Sequence, residues 1–165
     1  MKIRIMTIIG VFACLFISSA SIRAEGDPRP AQDIQLSPEL LDLLRAEMRE
    51  ISTGIQGIAV SLATADWGSV KQTSARISAS YIMKQSLTPA QASELKQALP
   101  EQFKLLDAEF HRRAERLGAA AEAHDADLAA FHYSRLVESC AHCHARFASQ
   151  RFPGFTRAHE KEHHH

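Results

Sequence analysis

Alternation of apolar and polar residues is missing from residues 25–165 of this 165-residue chain, and no internal repeat is evident. A strand with one buried face shows such alternation, so its absence argues against a β-sheet. No basic patch is present to bind nucleic acid. We also find no nucleophile paired with a general base and no carboxylate constellation suited to catalysis, so we do not expect an enzyme.

Long apolar runs are also scarce, apart from residues 5–17. That run is shorter than the ~20 apolar residues that a membrane span needs. Lys2 and Arg4 precede it, and Ile22-Arg23-Ala24 follows as a cleavage site. This pattern predicts a signal peptide over residues 1–24 and export to the periplasm. Without the signal peptide, 16 basic residues face 19 acidic ones, a net charge of −3.

The chain contains only three cysteines, and Cys14 is the one inside the apolar run. The preceding Val11-Phe12-Ala13 loosely resembles a lipoprotein processing box, but bulky Phe12 stands where a small residue is preferred. We expect Cys14 to leave with the signal peptide rather than to anchor the protein to a membrane.

Helical patterns dominate the rest of the chain, after a flexible leader predicted over residues 25–36. Ser37-Pro38 is an N-cap pair that begins helix one. Apolar residues then recur at alternating steps of three and four, the pattern of a helix that packs along one side in a bundle. We call this row of apolar residues the seam of the helix. The seam of helix one comprises Leu41, Leu44, Met48, Ile51, Ile55, Ile58 and Leu62.

Further helices are predicted over residues 69–85, 88–99, 100–123 and 126–149, of which the second is short. The sequence thus predicts an all-α fold, a four-helix bundle of up-down-up-down topology over residues 37–152. Residues 153–165 are predicted to be a flexible, His-rich tail. Asp66-Trp67-Gly68 reads as a turn, and Gly54 and Gly57 on helix one indicate close approach of a bulky group. His111 and His124 are predicted to be solvated.

The segment Cys140-Ala141-His142-Cys143-His144 is a C-x-x-C-H motif, the attachment signature of c-type haem. Its thiols are three residues apart, close to the ~3.6 residues of one helical turn, so both can reach the vinyl groups at one edge of a porphyrin. His144 then lies under the ring, where its imidazole can bind the iron as the proximal ligand.

A disulfide and a zinc site are the alternative interpretations of this motif. A redox-active C-x-x-C normally occurs in a βαβ setting, which this helical sequence lacks. A structural zinc site usually has four nitrogen or sulfur ligands in tetrahedral geometry, which three adjacent ligands on one helix supply poorly. Haem attachment is the favoured interpretation.

A signal peptide, amphipathic helices and a C-x-x-C-H motif near the end of the last helix together resemble the cytochrome c′ family, the class II c-type cytochromes. The resemblance implies one covalent haem c, with thioether bonds from Cys140 and Cys143 and His144 as the axial ligand. Met48 matches the distal ligand of the low-spin members, with Met83 as the alternative. Leu44 and Ala148 stand where many members have basic residues.

The resemblance implies a periplasmic carrier of single electrons, served by a redox partner protein that the sequence does not identify. The rival expectation is a five-coordinate haem protein that binds nitric oxide or carbon monoxide, with Met48 only packing over the iron. A third is a haem-free metal binder that uses the histidines of residues 159–165. Homodimerisation through helices one and two, common in this family, stays open.

Overall fold

The computed structural model describes residues 32–155, which form five α-helices and no strand. The helices are α1 (Pro38–Ala63), α2 (Trp67–Ala79), α3 (Pro89–Ala98), α4 (Glu101–Glu122) and α5 (Ala126–Phe147). The predicted all-α class is therefore confirmed. The predicted signal peptide, Cys14 and all of the tail beyond residue 155 lie outside the described residues.

Helix α1 begins where the sequence predicts, with Pro38 in its first turn. The Ser37 side chain makes no capping hydrogen bond, and its backbone N–H instead donates to Glu94 Oε1 of α3 at 2.9 Å. Two members of the predicted seam, Ile51 and Ile58, are buried. Ile55 and Leu62 of the seam pack, partly buried, against the hydrophobic core, whereas Met48 is 39% exposed.

Helix α2 begins two residues earlier and ends six residues earlier than predicted. Trp67 and Gly68 belong to its first turn, so the predicted turn at these residues is wrong. The Asp66 carboxylate causes this early start because it accepts the N–H of Ser69 at 3.1 Å and caps the helix. The helix ends where Ser80 adopts a left-handed backbone with φ of 63°.

Helices α3, α4 and α5 lie close to their predicted positions. Thr88 and Gln91 form a reciprocal capping box at the start of α3. Asp125 caps α5 by accepting the N–H of Leu128 at 2.9 Å. Helix α5 ends at Phe147, with Ala148 as its C-cap.

The core lies between α2 and α4 and between α4 and α5, with α1 packed on α2 and, more lightly, on α5. Arg113 of α4 donates a hydrogen bond to Ser139 Oγ of α5 at 2.8 Å, and the Tyr133 hydroxyl of α5 donates one to the carbonyl of Ile55 on α1 at 3.2 Å. The buried core residues are Ile58, Val70, Ile77, Ala114, Leu117, Ala120, Ala121, Ala129 and Leu136.

Gly54 permits a close approach between α1 and the turn after α2. A Cβ atom at this position would lie 2.7 Å from the hydroxyl oxygen of Tyr81 and 3.1 Å from Thr73 Cγ2. The prediction of close approach is thus confirmed for Gly54. It is wrong for Gly57, where a Cβ atom would meet nothing within 4 Å.

Helix hydropathy gives no sign of a membrane span between residues 32 and 155, where every helix is too short or too polar to cross a bilayer.

Candidate functional site

A cavity of about 440 Å³ lies between α1, α4 and α5. Its volume falls within the ~300–1,000 Å³ typical of pockets for small ligands and cofactors. The lining is mainly apolar. The apolar lining residues of the three helices are Leu41, Leu44, Met48, Ile51, Phe103, Leu106, Phe110 and Phe147.

The four candidate haem residues all line this one cavity. Helix α5 contributes Cys140, Cys143 and His144, and α1 contributes Met48. Helical spacing explains part of this: Cys140 and Cys143 are three residues apart and share one side of α5, and Met48 is three residues before the buried Ile51 on α1. Met83, the alternative distal ligand, is not among the lining residues.

Cys140 and Cys143 are free thiols, each partly buried. Burial raises the pKa of both groups, and for Cys143 burial, the charge of Asp107 and the neighbouring Cys140 together raise the pKa to about 12. Both sulfurs therefore carry protons at neutral pH. The Cys140 thiol donates a weak hydrogen bond to the carbonyl of Leu136 at 3.8 Å.

The imidazole of His144 is also partly buried at the cavity wall. Burial, and secondly the positive charge of Arg151, lower the pKa of His144 below its ordinary value. The neutral form, which has a nitrogen lone pair for a metal, is thereby favoured. The ring stacks on Phe152, with centroids 4.5 Å apart and planes inclined by 18°.

Arg113 of α4 supports the turn of α5 that carries the cysteines. Its Nη1 atom donates to Ser139 Oγ at 2.8 Å and to the carbonyl of Arg135, and its Nε donates to Glu109 Oε1 at 2.9 Å. Ser139 is buried and precedes Cys140 directly. This network fixes the rotation of α5 relative to α4, and hence the side to which Cys140 and Cys143 point.

Residues 33–35, which precede α1, line the cavity as well, which the sequence did not indicate. Asp33 Oδ1 accepts hydrogen bonds from the backbone N–H of Ser149 at 3.0 Å and from its hydroxyl at 3.3 Å. The N–H of Gln32 donates to the carbonyl of Arg146 at 2.8 Å. These bonds join the part of the predicted leader that is described to the end of α5.

His111 is not solvated, so that prediction is wrong. Its side chain is 12% exposed, its Nδ1 lies 2.8 Å from the carbonyl oxygen of Ile77, and its Nε2 lies 3.5 Å from Asp107 Oδ1. Close packing of α2 against α4 explains the burial, because it brings the Ile77 carbonyl over the histidine. His124 is exposed, as predicted.

Two alternatives to haem gain no support from the described residues. Both cysteines are free thiols rather than a disulfide. Between residues 32 and 155, no three His, Cys, Asp or Glu side chains gather into a group that could hold a metal ion. A haem iron differs from such a site, because the porphyrin supplies most ligands and the protein only one or two.

Comparison with protein families, curated proteins and solved structures yields no match for this chain. The resemblance to the cytochrome c′ family therefore stays a prediction, supported by the motif and by the residues that line the cavity.

Proposed function

We propose that this protein is a c-type cytochrome that carries one covalent haem and transfers single electrons in the periplasm. One observation carries the proposal: both thiols and the histidine of the C-x-x-C-H motif line a single, mainly apolar cavity together with Met48 from another helix. A haem-attachment motif on a surface loop would have no such volume beside it.

The residues present fit a haem c group. Cys140 and Cys143 are free for thioether bonds, and neutral His144 is able to bind iron. When bound, the haem iron supplies the one-electron change between the ferrous and ferric states.

The protein's own contribution is to hold the ligands in a mainly apolar cavity. The thioether of Met48 and the imidazole of His144 are neutral donors. The charged lining residues balance at two acids and two arginines, and the rest of the wall, which includes Leu44, Ile51 and Phe110, is mainly apolar. An apolar wall penalises the additional positive charge of the oxidised state, so these residues favour the reduced state. We expect a high reduction potential for this reason. Nothing in this arrangement requires substrate turnover.

The helical contacts support a four-helix bundle as the setting of the haem. We infer that α1, α2, α4 and α5 form an up-down-up-down bundle, with α3 in the connection between α2 and α4. Electrons would pass to the partner near Ala141 and His142, which lie between the two cysteines, and near Ala145, which follows them. His142 is exposed. The partner is a redox protein of unidentified type.

Gas binding is the second candidate function, and one observation favours it. Met48 is 39% exposed, so neighbouring side chains cover only part of this residue. If Met48 only packs at the cavity wall, the iron keeps an open site for nitric oxide or carbon monoxide.

The visible spectrum of the reduced protein, recorded before and after addition of carbon monoxide, separates the two functions. The protein is purified from cells that mature c-type haem. Electron transfer predicts sharp low-spin bands that carbon monoxide barely alters. A broad high-spin spectrum that carbon monoxide converts quickly would establish gas binding instead. A protein without covalent haem would refute both, and its iron content would then test the haem-free metal binder.

A further inference from the structure

We propose that Phe152 is a positioning residue that fixes the plane of the His144 imidazole, an inference that rests on the proposed function. The two rings are nearly parallel, with an interplanar angle of 18° and centroids 4.5 Å apart. A stacked neighbour of this kind opposes rotation of the imidazole about its Cβ–Cγ bond, since rotation would push one ring edge into the other.

A metal-bound histidine usually has its orientation fixed differently. Its second ring nitrogen donates to a carboxylate, a backbone carbonyl or a water molecule. Within residues 32–155, no protein group makes a hydrogen bond with either ring nitrogen of His144. Of the contacts that the described residues make with this ring, the stack on Phe152 is the one that defines a plane.

The backbone holds Phe152 in place for this task. The N–H groups of Arg151 and Phe152 both donate to the carbonyl of Ala148, at 3.1 and 3.0 Å, so the chain turns back immediately after α5. Asp33 anchors the same turn through its two hydrogen bonds to Ser149. The Arg151 guanidinium lies 5.9 Å from the centroid of the Phe152 ring. The turn that carries Phe152 is therefore bonded to the C-cap residue of α5 and, through Ser149, to the segment before α1.

The plane of an axial imidazole has a measurable consequence. It sets the direction of the half-filled iron orbital in the ferric state, and hence the distribution of unpaired spin over the four haem methyl groups. Cyanide is cylindrically symmetric, so in the ferric cyanide form only His144 defines this direction. The methyl shifts in the proton NMR spectrum then report on His144, whatever Met48 does.

Phe131 and His132 offer a matched control pair on the same helix. Their rings are 5.3 Å apart but inclined by 64°, Phe131 is 55% exposed, and neither residue lines the cavity. The substitution Phe131→Leu removes an aromatic ring beside a histidine that has no part in the proposed site.

The experiment compares Phe152→Leu, Phe152→Tyr and Phe131→Leu with the wild type, all matured with haem. Haem that survives denaturation tests the proposed function, and the methyl shifts of the ferric cyanide form test the role of Phe152. We expect Phe152→Leu to alter the order or the span of the four shifts, because leucine keeps bulk but has no flat face. Phe152→Tyr and Phe131→Leu should retain the wild-type pattern.

Two results would overturn the inference while leaving the proposed function intact: an unchanged methyl pattern in Phe152→Leu, or an equal change in Phe131→Leu. If Phe152→Leu does not incorporate haem, the stack of Phe152 on His144 is tested in the wild-type protein instead. In its diamagnetic ferrous carbon monoxide form, the two rings should show nuclear Overhauser contacts, and their absence would refute the stack. A wild type without covalent haem would refute the proposed function and the inference with it.

Discussion

Glu47 Oε1 on α1 accepts a hydrogen bond from the hydroxyl group of Ser80 at 2.8 Å. Glu47 is only 3% exposed, and its carboxylate also accepts the backbone N–H groups of Tyr81, Ile82 and Met83 in the turn after α2. One buried carboxylate thus accepts hydrogen bonds from four donors of residues 80–83, directly after α2. It also fixes the rotation of α1, on which the next residue, Met48, lines the cavity.

The substitution Glu47→Gln should lower the free energy of unfolding by about 3 kcal/mol, because charge-assisted hydrogen bonds weaken and the new amide N–H₂ faces other donors. Urea denaturation followed by circular dichroism measures the effect. Glu50→Gln is the control, since Glu50 is exposed on the same helix and its loss should cost less than about 0.5 kcal/mol. Equal effects of the two substitutions would show that the Glu47 hydrogen bonds contribute little.

Gly54 and Gly57 should respond oppositely to alanine. Gly57→Ala should stabilise the protein by up to about 1 kcal/mol through helix propensity, because its Cβ meets open space. Gly54→Ala should cost about 1–3 kcal/mol, since the new Cβ would overlap the Tyr81 hydroxyl and crowd Thr73. Thermal unfolding of the two variants gives the comparison. A stabilised Gly54→Ala would mean that Tyr81 does not pack against α1.

Met48→Leu tests the sixth ligand of the proposed haem iron. Leucine keeps an apolar side chain at the cavity wall but removes the sulfur, so the carbon monoxide affinity of the reduced protein should rise by about tenfold or more. Met83→Leu is the control, because the N–H of Met83 is engaged with Glu47 and Met83 does not line the cavity. A rise with Met83→Leu alone would identify Met83 as the ligand.

Alkaline pH should destabilise the chain when haem is absent. The folded state raises the pKa of the Cys143 thiol from 9.0 to about 12, so above pH 9.0 the unfolded chain releases this proton first. Stability should therefore fall as pH rises from 9.0 toward about 12, by at most about 1.4 kcal/mol per pH unit from this group.

Urea midpoints below and above pH 9.0 for the haem-free wild type and for Cys143→Ser test this expectation. The serine variant should lose most of the dependence, as should the haem-loaded protein, whose thioether sulfur has no proton to release. An identical alkaline loss in all three proteins would assign the effect to other groups.

Helix positions could largely be predicted because they depend on local patterns. Pro38 and Pro89 open α1 and α3, and the 3-4 seams determine which faces turn inward. The end of α2 could not be predicted, because it depends on Glu47, a residue more than thirty positions earlier. A glutamate beside an apolar seam reads as a solvated residue until the packing of α1 on α2 is known.

The residues of the candidate site likewise fall into those that the sequence could predict and those that it could not. The C-x-x-C-H motif is contiguous, so Cys140, Cys143 and His144 are recognisable in the sequence. The seam of α1 by itself marks Met48 as a core residue, and only the resemblance to the low-spin cytochromes suggests it as a ligand. The roles of Asp33 and Phe152 arise from contacts between segments distant in the chain or beyond the last helix, where no periodic pattern exists. The burial of His111 likewise depends on the carbonyl of Ile77 in another helix.

The proposed function depends on covalent haem attachment through the C-x-x-C-H motif, and haem that remains on the denatured protein is its direct sign. The measurement compares the wild type, Cys14→Ser and the double variant Cys140→Ser with Cys143→Ser, all from cells that mature c-type haem. We expect one haem on the wild type and on Cys14→Ser, and none on the double variant. A wild type without covalent haem, or a double variant that retains it, would refute covalent attachment at Cys140 and Cys143.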